Sequence, residues 1–219
     1  MYSYLENKRV AIVGPAASIK NSNKGGYIDD HDIVVRLNYS KIDNVVDTGQ
    51  KTDIIYYDGG MDSNRFNTYL ELNPKTIVCT YPETEWFFNE RCKSNVSSLK
   101  EHFNSIVVDP KIYNGLKDQL NKNATTNVVR PNSGLIAIVD LLNSKLSELY
   151  IIGLDFYRTA YLDSQPDGWG KMNMDQLIKV FNKGDGGDVH DIDIQFEYFK
   201  KLTKSDSRIK PSKFLSNFL

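Results

Sequence analysis

Two continuous apolar runs, residues 10–13 and 33–37, set the pattern from which the rest of the chain is read. Runs of this length bounded by turn residues predict strands buried on both faces, as in a parallel sheet. The first run reaches Gly14 and then Pro15, Ala16, Ala17 and Ser18, a tight loop of small residues. The second is entered through Asp29, Asp30, His31 and Asp32 and delivers Arg36 and Asn38 to its far end. Further strands are expected at 53–57, 75–80, 105–108 and 149–153, and helices at 83–93, 111–120, 135–142 and 192–202. Asp109 and Pro110 mark the start of the second of these helices, since an N-cap residue followed by proline suits a first helical turn. Residues 158–189 read as an irregular, glycine-rich segment, expected to act as a flexible lid.

Strands alternating with helices predict an α/β fold, a single Rossmann-like domain spanning 1–219 with a mostly parallel central sheet and helices on both faces. Such a sheet places its ligand in the crevice beyond the carboxyl ends of its strands. The loop after the first strand lacks the G-x-G-x-x-G spacing, which disfavours a nicotinamide-dependent oxidoreductase. A nucleotide is nevertheless expected there.

Composition narrows the class. The 219 residues carry 27 basic and 28 acidic side chains, and the pI near 6.3 gives no global signal for nucleic acid or an anionic surface. No apolar run approaches the length of a membrane span, and the opening residues lack the apolar core of a signal peptide. A cytoplasmic location, no transmembrane segment and no nucleic-acid partner are therefore the expectations. Cys79 and Cys92 are the only cysteines, too few for a disulfide framework or a four-ligand soft metal site.

Residues 10–38 contain V-G-x-x-x-S followed by G-x-x-I-D-x-H-D-x-V-x-R-x-N. This order resembles the long sialyl motif of the eukaryotic-type sialyltransferases, glycosyltransferase family 29. Downstream, Asp47 to Thr52 spells D-x-G-x-K-T, and Pro131-Asn132-Ser133-Gly134 with its helix and strand resembles the short motif. Val189-His190-Asp191 resembles the last one. The resemblance implies a variant of the GT-A fold and an inverting transfer of sialic acid, or a related 2-keto-3-deoxy sugar, from a CMP donor to a hydroxyl of a glycan or glycolipid acceptor. CMP-Kdo is the alternative donor. No metal ion or other cofactor is implied.

The residues support such a site, each with a plainer alternative. Asn132 or Ser133 can cap a helix and leave its first N–H groups pointing outward toward a phosphate, or simply cap it. Asp155 can accept from the exocyclic amine of cytosine while Phe156 or Tyr157 packs on the ring, or it is an ordinary loop acid. Gly14, Ala16, Ser18, Asn38 and Gly134 complete the expected nucleotide contacts. Tyr56 and Tyr57 are either phosphate contacts, with Tyr57 favoured, or half-buried aromatics. Arg158 and Tyr161 are further phosphate candidates. Trp86, Phe87 and Phe88 form either core or an acceptor platform. His190, at a helix start beside the lid, can take a proton from a sugar hydroxyl near neutral pH and is the expected general base. His31 is read as structural and His102 as exposed.

Three departures from the family pattern stand out. Pro15 replaces the asparagine after the glycine of the long motif, Gln195 replaces the glutamate of the last motif, and no histidine follows Gly153 at the third motif. These keep a second reading open, a non-catalytic nucleotide- or glycan-binding module.

Overall fold

The structure, a computed structural model, describes residues 3–38, 41–85, 88–122, 124, 128–162, 169–183 and 188–219. In chain order the elements are β1 (Arg9–Val13), α1 (Gly25–Asp29), β2 (Ile33–Leu37), α2 (Val45–Thr48), β3 (Ile54–Tyr57), α3 (Ser63–Leu72), β4 (Thr76–Cys79), α4 (Glu90–Leu99) and β5 (Asn104–Val107). They continue with α5 (Pro110–Asn121), β6 (Val128–Val129), α6 (Ser133–Leu142), β7 (Glu148–Ile152), α7 (Met174–Lys183), β8 (Asp188–Val189), α8 (Ile192–Ser205), β9 (Ile209–Pro211) and α9 (Lys213–Ser216).

Seven strands form one sheet in the order β5-β4-β3-β2-β1-β7-β9, and every neighbouring pair is parallel. The chain winds outward from β1 to β5, then returns to the other side of β1 as β7. The order therefore reverses between β1 and β7, the kind of switch point at which ligand crevices open in α/β sheets. Side chains alternate across the sheet as the two-residue period of a strand requires. Val10 and Ile12 face the core built with Leu116, Leu135, Phe196 and Phe199, while Ala11 and Val13 face a second layer with Ile19, Ile28 and Leu162. Helices thus cover both faces, and all five β2 positions are buried.

The predicted strands fall within about a residue of those observed, but one helical expectation and the reading of 158–189 need correcting. The helix expected at 83–93 begins only at Glu90, where the Asn89 side chain accepts a hydrogen bond from the Cys92 N–H. A capping side chain decides that boundary rather than the aromatic run, of which Phe88 is buried and Trp86 and Phe87 lie outside the described residues. Nor is the segment 158–189 irregular throughout. It contains α7, with Leu177 fully buried, and β8, which pairs in parallel with β6. Residues 163–168 and 184–187 of the expected lid lie outside the described residues.

Candidate active site

At the carboxyl edge of the sheet the ends of β1 and β7 touch backbone to backbone. A Cβ on Gly14 would lie 2.2 Å from the Gly153 carbonyl oxygen, and one on Gly153, whose φ is +65°, would lie 2.5 Å from that of Gly14. Only glycine permits such an approach. Beyond the contact the two loops interlock: Ala16 N–H donates to Gly153 O at 2.8 Å, Ala17 N–H to Ala160 O at 2.7 Å, and Leu162 N–H to Pro15 O at 2.8 Å. Between these loops and the start of α6 lies a cavity of about 50 Å³. Small-molecule sites usually occupy roughly 300–1,000 Å³, so this cavity encloses only part of the volume a nucleotide takes up.

Most of the expected nucleotide contacts line this cavity: Ala16, Asn38, Asn132, Ser133, Gly134, Asp155, Phe156, Tyr157 and Tyr161. Asn132 is the N-cap of α6 and accepts from Leu135 N–H at 2.8 Å. The Ser133 hydroxyl shares a hydrogen bond with Thr80 at 3.1 Å, and a Cβ on Gly134 would press to 2.7 Å from Leu154. The first turn of α6 is thus held rigidly with its N-terminal end toward the crevice, a setting that favours an anion. Asn38 sits at φ +54°. Its N–H donates to Tyr56 O at 2.7 Å and its carbonyl accepts from the Tyr69 hydroxyl at 2.9 Å. The backbone is therefore pinned, while the side-chain Oδ1 is buried without a hydrogen-bond partner among the described residues. Such an atom calls for a donor.

The loop after β7 takes its shape from Asp155. This carboxylate is 2% exposed and accepts from the Thr159 hydroxyl at 2.5 Å and Arg158 N–H at 3.1 Å. Thr159 Oγ1 in turn accepts from Ser18 N–H at 3.0 Å. Burial raises the Asp155 carboxyl above its ordinary range, against these hydrogen bonds. Phe156 and Tyr157 both adopt positive φ, +52° and +62°. The Phe156 ring turns into the core, 4.8 Å from Phe199 and 5.5 Å from Phe196. Tyr157 stands edge-on to Tyr161 at 6.1 Å, and burial raises both phenols, so both stay protonated as hydrogen-bond donors.

His190 is 8% exposed and lies where β8 meets α8. Its Nδ1 pairs with the Arg130 carbonyl at 2.9 Å. A carbonyl can only accept, so Nδ1 carries the proton and Nε2 carries the lone pair. Desolvation, reinforced by the Arg130 guanidinium, pushes the imidazole down to about 4. It is neutral at physiological pH, as a general base must be. Arg130, whose guanidinium lies 5.7 Å from the Tyr81 ring centroid, is not among the residues the sequence patterns single out. Its place directly before the Pro-Asn-Ser-Gly run is the signal that could have found it. Gln195 joins His190 to the start of α6, because its Oε1 accepts from Asn132 N–H at 2.8 Å and its amide donates to His190 O.

Other expected contacts lie outside the cavity. Gly14 serves the backbone crossing, and the Ser18 backbone is tied to Thr159. Tyr57 is fully buried and edge-on to Tyr69 at 6.2 Å, since β3 is covered on both faces. Arg158 stacks 4.2 Å over Phe196 and lies 3.9 Å from Asp193, which directs its charge to α8. Arg36, prominent in the motif, is 2% exposed and its guanidinium donates to Thr48 O, Gly49 O and Lys51 O at 3.0–3.1 Å, clamping the turn before β3. His31 is structural, as expected, with Nδ1 on Tyr27 O at 2.8 Å. A larger cavity of about 320 Å³ between α5 and α8, lined in part by Leu120, Ile194 and Tyr198, includes none of the expected contacts. Among the described residues no three His, Cys, Asp or Glu side chains gather in a way that could hold a metal ion, and no helix is long and apolar enough to cross a membrane.

Comparison with known proteins converges on one family. Among curated proteins, the rat and mouse CMP-N-acetylneuraminate-beta-galactosamide-alpha-2,3-sialyltransferase 4 are 37% and 36% identical over 76 residues, 34% of this chain. The match spans only 22% of the length of either relative. Among solved structures, a mammalian sialyltransferase aligns over 94% of this chain and 69% of its own, with TM-score 0.58 and 17% identity. The sialyltransferase CstII from Campylobacter jejuni, in complex with cytidine-5'-monophosphate, aligns over 94% of this chain and 80% of its own, with TM-score 0.60 and 17% identity. At that identity the likeness speaks for the fold, and it agrees with the parallel seven-stranded sheet. The model of the family described as Glycosyltransferase family 29 (sialyltransferase) matches residues 3–143, which carry β1 through α6 and the cradle around Asn132. By that match, and with the same fold around it, the chain belongs to glycosyltransferase family 29, the sialyltransferases.

Proposed function

We propose that this protein transfers sialic acid, or a related 2-keto-3-deoxy sugar, from its CMP donor to a hydroxyl of a glycan acceptor, with inversion and without a metal ion. The observation that carries this reading is the state of His190. It is a buried, neutral imidazole whose Nδ1 proton is committed to Arg130 O, so that Nε2 is the basic atom, and it is joined through Gln195 to the start of α6. In the reaction Nε2 takes the acceptor hydroxyl proton as that oxygen attacks the anomeric carbon. The bond from that carbon to the phosphate oxygen breaks, and CMP leaves from the opposite face. A single displacement inverts the configuration.

The leaving phosphate carries away the negative charge. The N–H groups opening α6, the Arg130 guanidinium and the protonated Tyr157 and Tyr161 hydroxyls are the groups assigned to receive it. For the base, Asn38 Oδ1, without a partner among the described residues, is assigned to the cytosine amine, since Asp155 is already occupied by Thr159 and Arg158. The fold neighbour complexed with cytidine-5'-monophosphate supports a cytidine ligand.

The test is calorimetric titration with CMP, UMP and NAD in the presence of EDTA. Binding of CMP in preference to the other two is the expected result; failure to bind CMP removes the donor assignment.

A further inference from the structure

Gln195 stands where the sequence pattern calls for glutamate, and its surroundings explain the amide. It is completely buried on the first turns of α8. Its Oε1 accepts from Asn132 N–H at 2.8 Å, which fixes the amide orientation. Its Nε2 then faces two carbonyl oxygens, those of His190 and, at 3.4 Å, Arg130. The Arg130 carbonyl is the one that receives the His190 Nδ1 proton. Asp191, between His190 and the helix, sits at φ +23° and caps α8 by accepting from Ile194 N–H, so this turn is strained and in need of a tether.

We propose that Gln195 is a positioning residue that sets the general base and the phosphate cradle as one unit, and that it must be both donor and acceptor to do so. A carboxylate in its place could still accept from Asn132 N–H, but it would oppose two carbonyl oxygens with no proton between them. A carboxyl side chain therefore works at this position only while protonated. The inference rests on the transfer reaction proposed above.

The charged groups around this corner act in both directions. Burial and the facing carbonyls raise a carboxyl introduced here; of the charged groups acting on the adjoining His190, the Arg130 guanidinium opposes that rise and Asp58 adds to it, while Asp191 is engaged as the α8 cap and Asp193 is largely exposed beside Arg158. Because His190 stays neutral down to acid pH, a window opens in which the base is active and the introduced carboxyl is protonated.

The experiment compares wild type with Gln195→Glu and Gln195→Met by melting temperature, CMP affinity, and kcat and KM for CMP-sialic acid between about pH 5.5 and pH 8.5. Gln195→Glu is expected to keep CMP affinity within about threefold, because the Asn132 contact survives, and to lose about tenfold or more in kcat at the alkaline end. The loss should shrink as pH falls, whereas wild type stays level and Gln195→Met is impaired equally throughout. A Gln195→Glu profile parallel to wild type, or a loss in CMP affinity and rate that is the same at every pH, overturns the proposal.

Should wild type turn over no CMP sugar, the transfer reading fails, and Gln195 is then judged on the ligand-free protein by imidazole ¹⁵N spectra. The expected result is a pure Nδ1-protonated tautomer in wild type that becomes mixed in Gln195→Glu above about pH 8. An unchanged tautomer overturns the role.

Discussion

At the scale of single residues, the behaviour of the site turns on His190 and Asn38. His190→Ala removes the group assigned to take the acceptor proton, and general-base removal typically lowers rates by about 10²–10⁴-fold. CMP affinity should hold, because the cradle is made by other residues; parallel rate assays and titrations check both. Folding to an imidazole with a pKa near 4 from an ordinary one near 6.5 means that the unfolded chain binds more protons between those values. Stability contributed by the neutral histidine is thus present above about pH 6.5 and is lost as pH falls toward 4, by on the order of 3 kcal/mol. Urea titrations across that window should show the loss, and the acid limb of the rate profile should fall near the lower value. For Asn38, glycine is the informative replacement, since it tolerates the positive φ. Asn38→Gly should weaken CMP binding by about 0.5–1.5 kcal/mol, and unchanged affinity would remove Oδ1 from base recognition.

At the scale of elements, the site is an arrangement of strand and helix ends. Gly14→Ala forces a Cβ against Gly153 O and should destabilise the fold by about 1–3 kcal/mol, as overpacking in a close-packed interior does. Asn132→Ala removes the cap of α6 and should cost about 0.5–2 kcal/mol of stability, with a loss of CMP affinity if the helix start holds the phosphate. Strands β1–β5 and β7 are legible because doubly buried strands are short apolar runs, and α5 and α6 because Asp109 and Asn132 announce them. α3 escapes a pattern reading since its sequence, SNRFNTYLEL, has a weak apolar face, and β9 because three residues ending in proline look like a turn. α7 is masked by flanking glycines, although Met174 and Leu177 hint at its period. Arg36 is a motif residue whose role only the fold shows, a buried clamp on Thr48, Gly49 and Lys51.

At the scale of the whole molecule, the cavity is lined by segments far apart in sequence: 15–16 after β1, 37–38 after β2, 132–134 at the start of α6, and 153–161 after β7; His190 and Gln195 join it through hydrogen bonds to Arg130 O and Asn132 N–H. The long and short motif blocks make part of this convergence legible, because they end β1 and β2 and begin α6 at the cavity, whereas the Asp47–Thr52 block precedes β3 at the opposite edge. Which side chains of a block point at the cavity is settled only by packing. Tyr57 and Arg158 carry suitable chemistry, but Tyr57 is buried edge-on to Tyr69 and Arg158 stacks over Phe196 beside Asp193, and neither lines the cavity. The Arg130 carbonyl and the amide of Gln195 act through partners, His190 and Asn132, that only the folded chain brings together. The parallel sheet, with its switch between β1 and β7, brings most of the expected nucleotide contacts to one rim, and the central claim is that His190, tied to the start of α6 through Gln195, acts there as the base. Its most direct test is the release of CMP from CMP-sialic acid, with a galactose-terminated acceptor and EDTA present, by wild type and by His190→Ala. Release by wild type that collapses in the variant while both bind CMP alike is the expected result. Equal release by the two proteins, or none by a wild type that binds CMP, would contradict it.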